Sequence, residues 1–177
     1  MFDLLFPFFL LVLIFIVLFL IWRINARKYI SSGTVASAYD AWTQDKLLER
    51  LWGEHIHLGF YPSEVKNIDF RKAKVQFVHE LVKWSGLDKL PQGSRILDVG
   101  CGIGGSSRIL AEYYGFNVTG ITISPAQVRR ARELTPHGLN CHFQVMDALD
   151  LKFEDGSFDA VWSIEAGAHM NLSLIHI

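Results

Sequence analysis

The segment RILDVGCGIGGSSRIL, Arg95–Leu110, sets a carboxylate, Asp98, two positions ahead of a turn containing Gly100, Gly102, Gly104 and Gly105. Turns of this composition usually cradle phosphate with their backbone N–H groups, and Gly100, Gly102 and Gly105 satisfy the G-x-G-x-x-G spacing of a dinucleotide site. Two features argue against that ligand. A dinucleotide fold expects an acidic side chain about 20 positions further on to hold the ribose, and Thr122 in VTGITIS takes that place. Asp98 would also add negative charge beside a pyrophosphate. A cationic ligand removes the difficulty: S-adenosylmethionine has a sulfonium and an ammonium and no phosphate, so a carboxylate at the edge of the turn attracts it. The glycines then let the backbone approach the ligand and adopt angles that a Cβ forbids. In the alternative, Asp98 braces the turn by accepting backbone N–H groups.

Other reactive side chains lie on either side of this segment. Glu165 and His169 in SIEAGAHM are four residues apart, and a helical turn would bring them together. His55 and His57 in WGEHIHLG alternate as strand residues do and share a face. A metal site would need a third ligand, and no spacing supplies one. The two histidines are therefore expected either to line an acceptor cavity with Trp52 and Tyr61 or to pack. Cys101 and Cys141 read as packing residues in a reducing compartment, not as a disulfide or zinc pair.

These residues need a scaffold, and the sequence period changes at Arg95 to provide one. Strands are expected at Ile96–Val99, Asn117–Thr122, Cys141–Met146 and Phe158–Ile164. Helices are expected over Ser106–Tyr114, stopped by Gly115, and from Ser124 with Pro125 at the first position. Strands alternating with helices imply an α/β, Rossmann-like, doubly wound parallel sheet whose ligands gather beyond the carboxyl ends of its strands. Upstream, Leu47, Leu48 and Leu51 share a helix face after a possible Thr43 N-cap, and Val75, Val78, Leu81 and Val82 form a second stripe ending near Gly86.

The run LDVGCGIGGSSRILAEYYGFNVTGITISPAQ resembles the first half of a class I S-adenosylmethionine-dependent methyltransferase. Within that class it is similar to the tocopherol methyltransferase group, whose relatives include sterol C-methyltransferases and cyclopropane fatty acid synthases. The resemblance extends through AYDAWTQDKLLERLWGEHIHLGFY and FEDGSFDAVWSIEAGAHM, about Ser31 to Met170. It implies that Asp98, Gly100, Gly102 and Gly104 surround the methionine part of the cofactor and that Thr122 and Ile123 border its ribose and adenine. Asp147 would accept from the adenine amino group, with Ala148 donating its backbone N–H. Gln127 is claimed both by the cofactor and by a capping box, Ser124-Pro-Ala-Gln127. Tyr39 would help close the cofactor site. In the acceptor chemistry, Glu165 would orient His169, which removes a proton from a quinol hydroxyl. The implied reaction is C-methylation of a prenylated benzoquinol in tocopherol and plastoquinone synthesis. Tocopherol O-methylation, sterol C-methylation and a non-catalytic, membrane-tethered cofactor-binding module are the alternatives.

The chain has 177 residues, 17 basic and 18 acidic side chains and 50% hydrophobic residues. So even a balance carries no electrostatic footprint for nucleic acid. The apolar surplus concentrates at one end: Leu4 to Trp22 holds no charge, and as a helix it would extend about 28 Å, close to the thickness of a bilayer core. Asp3 precedes this run while Arg23, Arg27 and Lys28 follow it. That order fits an uncleaved single-pass anchor that leaves the rest on the cytoplasmic side of a plasma or thylakoid membrane. The expected organisation is anchor and basic flank (1–28), linker (29–37), helical cap region (38–90), cofactor-binding core (91–170) and a non-native tail (171–177). The tail LSLIHI departs from the resembled family, and the core holds only the first strands of its sheet.

Overall fold

The computed structural model of the protein describes residues 10–20, 32–64, 67–167 and 170. The chain divides into two compact units, Met1–Ser31 and Ser32–Ile177. In the first, residues 10–20 form a helix, α1, whose described side chains are all apolar and exposed. The expected span Leu4–Trp22 runs past the described residues at both ends. Among the described residues no helix is long and apolar enough to cross a membrane.

The second unit runs α2 (Ser32–Gln44), α3 (Leu47–Trp52), α4 (Phe70–Ser85), a 3-10 turn (Leu87–Lys89), β1 (Arg95–Val99), α5 (Gly105–Tyr114), β2 (Asn117–Thr122), α6 (Pro125–Leu134), β3 (Cys141–Val145) and β4 (Ala160–Trp162). Two cap-region expectations are corrected. Residues 32–37, expected as linker, are the first turns of α2. Thr43 lies inside that helix, its hydroxyl donating to the Tyr39 carbonyl at 2.8 Å. The N-cap residue of α3 is instead Lys46, which makes no side-chain cap hydrogen bond, and Asp45 just before it accepts from Leu47 N at 2.8 Å. For α4, Asp69 accepts from Arg71 N and Lys72 N, and Gly86 closes the far end in the left-handed conformation.

All four strands pair in parallel, in the order β3-β2-β1-β4. Chain direction across the sheet therefore reverses between β1 and β4, and the crevice beyond their carboxyl ends is the switch point where ligands bind in such sheets. The β1 register sets Asp98 opposite Gly120 on one side and Trp162 on the other. Burial on both faces explains the near-continuous apolar strands. One core joins Val78 and Val82 of α4 to Ile96, Val118, Ile109, Leu110 and Phe116, while a smaller one joins Phe143, Val128, Ala131 and Cys101. β4 is shorter than expected, and its Val161 is 66% exposed.

Candidate active site

The glycine turn is tied to the neighbouring strand, since Gly100 N and Cys101 N both donate to the Ile121 carbonyl at 2.9 and 3.0 Å. Gly100, Gly102 and Gly104 all have positive φ, at 75°, 56° and 82°. Their surroundings differ. A Cβ on Gly104 would lie 2.7 Å from the Phe143 ring and 2.8 Å from the Arg108 guanidinium, and one on Gly100 would collide with the Ala166 side chain. A Cβ on Gly102 would meet nothing within 4 Å. Packing thus requires glycine at 100 and 104, whereas Gly102 presents bare backbone to open space, as a cradle for a ligand does.

Asp98 is 2% exposed. Its Oδ2 accepts from Ser107 Oγ, on the first turn of α5, at 2.5 Å. Among the described residues no backbone N–H of the turn donates to it, so bracing of the expected kind is absent. Burial pushes its carboxyl up to about 6, opposed by the Ser107 hydrogen bond. Among the described residues no cation pairs with this buried carboxylate, an arrangement that fits a positively charged ligand.

At the end of β2, Thr122 Oγ1 donates to Gln127 Oε1 at 2.7 Å, and Ser124 Oγ accepts from Gln127 N at 3.1 Å. Only half of the expected capping box forms: the Gln127 side chain turns to Thr122 instead of Ser124 N. The remaining partner comes from α2, where Asp40 Oδ1 accepts from Ser124 Oγ at 2.5 Å and from Ala126 N at 2.9 Å. Sequence reading missed Asp40; its only signal was its place beside Tyr39. Ile123 is half-buried next to this cluster. Asp147 and Ala148 follow β3, both half-buried, and Asp147 Oδ1 accepts from Leu149 N at 2.9 Å.

On the cap side, His55 and His57 are both 8% exposed, in a loop and not on a strand. His57 Nδ1 lies 2.7 Å from the Leu58 carbonyl, and His57 Nε2 lies 3.1 Å from His55 Nδ1. A carbonyl only accepts, so His57 carries its proton on Nδ1 and its Nε2 accepts from His55. Burial pushes His55 down to about 3 and lowers His57 as well, keeping both neutral. His57 is packed away, while His55, together with Trp52, also lines a cavity beside α3, so each of the two expectations holds in part.

Glu165 has φ 55, and its Oε1 accepts from Leu58 N at 3.0 Å, linking the cap loop to the segment after β4. The helical turn expected to join it to His169 runs through residues 168 and 169, outside the described residues.

The family described as "Methyltransferase domain" matches residues 96–175. A 2-methyl-6-phytyl-1,4-hydroquinone methyltransferase of Synechocystis is 60% identical over 150 residues, covering 85% of this chain and 47% of that protein. The chloroplastic tocopherol O-methyltransferase of Arabidopsis thaliana is 42% identical over 70% of this chain and 38% of its own length. This chain thus spans about half, or less, of the curated relatives it matches. Among solved structures, a geranyl diphosphate methyltransferase in complex with GPP and sinefungin superposes with TM-score 0.58 and 25% identity, over 75% of this chain and 54% of that one. A parallel sheet, an acid-then-glycine turn and these likenesses together identify the Rossmann-like methyltransferase fold, with residues 96–175 matching the methyltransferase domain family.

Proposed function

We propose that the whole protein transfers a methyl group from S-adenosylmethionine to a ring carbon of a prenylated benzoquinol, in tocopherol and plastoquinone synthesis. The observation that carries this reading is the 60% identity to the phytyl-hydroquinone enzyme across both the cap and the core. When bound, the cofactor supplies an electrophilic methyl on a sulfonium. The chain's own residues do the rest. Asp98 attracts the cationic end, and Gly100, Gly102 and Gly104 shape the turn beside it, with Gly102 leaving the backbone open to the ligand. Thr122 and Ile123 border the ribose and adenine, Gln127 fixes the Thr122 hydroxyl, and Asp147 with Ala148 N reads the adenine edge. Charge is lost in the transition state of such a transfer, so an enclosed site that aligns donor and acceptor favours it.

In this reading His169 is the base that ionises the acceptor hydroxyl, with Glu165 as its orienting carboxylate. Residues 4–22 anchor the protein in a membrane with the catalytic unit on the cytoplasmic side. The anchor raises encounters with a lipid-tailed acceptor without adding a catalytic contact. A full-length protein carrying this segment, given methyl-labelled cofactor and 2-methyl-6-phytylbenzoquinol, is expected to label the ring. His169→Ala should lower kcat by about a hundredfold or more. Absence of product from the wild type would defeat the proposal. Label on oxygen would favour the O-methylating reading, which the 42% identity to the Arabidopsis enzyme supports.

A further inference from the structure

A cavity of about 570 Å³ lies between α3, the loop to His55, the start of α4 and one side of α5. None of Asp98, Gly100, Gly102, Thr122 or Asp147 lines it. Its carboxylates are Glu49, Glu54 and Glu112, and two of them are engaged. Glu49 grips Arg130 with both oxygens, at 2.7 and 2.9 Å, and Glu54 holds Arg108 at 2.5 Å. Arg50, Arg71 and Lys74 also line the cavity, and among the described residues none has a carboxylate within ion-pair distance.

Lys74 is the unusual member of this set. It is 4% exposed, and its ammonium donates to the carbonyls of Trp52 at 3.1 Å and His55 at 2.8 Å. An ammonium has three N–H groups; among the described residues no third oxygen accepts from it, and its remaining neighbours are the faces of the Trp52 and Phe70 rings, 5.2 and 5.3 Å from Nζ. Arg71 gives one hydrogen bond to the Arg50 carbonyl at 2.6 Å and lies over the Phe70 ring. Burying a cation without an anion is costly, and desolvation draws the Lys74 pKa down. An oxyanion in the cavity would relieve that cost.

We propose that this cavity binds a phosphate-type oxyanion, with Lys74 offering its third N–H from the floor and Arg71 and Arg50 closing from the rim. The ligand chemistry has two sources, a free phosphate or the phosphodiester of a lipid headgroup. Trp52 lines the cavity, and its half-exposed ring, with that of exposed Phe70 6.3 Å away, gives this side the apolar character that suits the second. The inference does not depend on methyl transfer.

Isothermal titration of the whole chain in neutral detergent tests it. The probes are inorganic phosphate and dihexanoylphosphatidylglycerol, with dihexanoylphosphatidylcholine as the zwitterionic control. Saturable one-site binding of an anionic probe is expected, weakened about tenfold or more in Arg71→Gln and lost in the Arg50→Gln, Arg71→Gln double variant. Both substitutions lie at exposed positions, and S-adenosylmethionine affinity should be unchanged in them. Equal binding of both anionic probes assigns the site to phosphate itself; binding of phosphatidylglycerol alone assigns it to a headgroup. The proposal is overturned if neither anionic probe binds, if binding survives the double variant, or if phosphatidylcholine binds as well as phosphatidylglycerol.

Discussion

Asp98 concentrates two opposing demands in one side chain. Its folded-state carboxyl lies near 6 because burial disfavours the charge, whereas an unfolded aspartate titrates near ~3.9. The folded state therefore binds the proton more tightly, and stability from this group is greatest below about pH 4 and is lost as pH rises through 6. The charged form at neutral pH costs about 3 kcal/mol on this basis. Asp98→Asn should raise the urea midpoint at pH 7.5 and leave it near wild type at pH 4. The same substitution should weaken S-adenosylmethionine by about tenfold or more, and wild-type affinity should fall below pH 6 as the carboxylate protonates. Calorimetry that finds the cofactor indifferent to both changes would remove Asp98 from the site. The cost of the buried charge and the attraction for a cationic ligand have a single origin.

At the scale of elements, α2 and α6 meet through Asp40. Its carboxylate occupies the position of a helix N-cap that Ser124 only partly fills, because Ser124 Oγ both accepts from Gln127 N and donates to Asp40. Asp40→Ala removes two hydrogen bonds at a helix N-terminus, which costs about 1 to 2 kcal/mol. Faster hydrogen exchange is expected in α2 and in the first turn of α6, with β1 unaffected. Uniform acceleration across the sheet would show that Asp40 supports the whole unit instead of this contact. The Glu165–Leu58 bond works similarly across a longer sequence separation, and the left-handed Glu165 backbone is strain of the sort that accumulates at functional segments.

For the whole molecule, β4 is the exposed consequence of the strand order. It pairs with β1 on one side, and among the described residues no strand pairs with its other side. Val161, 66% exposed on a strand whose outer N–H and C=O groups are unpaired, is a template for edge-to-edge association. Val161→Lys should lower self-association of the chain in light scattering while leaving its circular dichroism unchanged. Equal aggregation of the two proteins would move the cause to another surface, with the apolar residues of α1 the first candidate.

Much of the core was legible because its signals are local. β2 has the expected bounds, α5 stops at Gly115 and α4 at Gly86, since glycine is the residue that most readily takes the left-handed angles ending a helix. The acid-then-glycine turn announced a cationic ligand because its charge and its missing Cβ atoms are properties of single residues. By itself the sequence determined that a parallel sheet would present Asp98 and an open turn at one edge. Only the tertiary structure decided which glycine faces space, that Asp40 completes a cap 84 residues away from Ser124, and that Glu165 reaches Leu58 across 107 positions. It also decided that His55 and His57 are a neutral hydrogen-bonded pair and that Arg50, Arg71, Lys74 and Arg108 share a cavity. Those outcomes depend on which distant side chains come into contact and how much water they exclude, and no periodicity or spacing along the chain encodes either quantity.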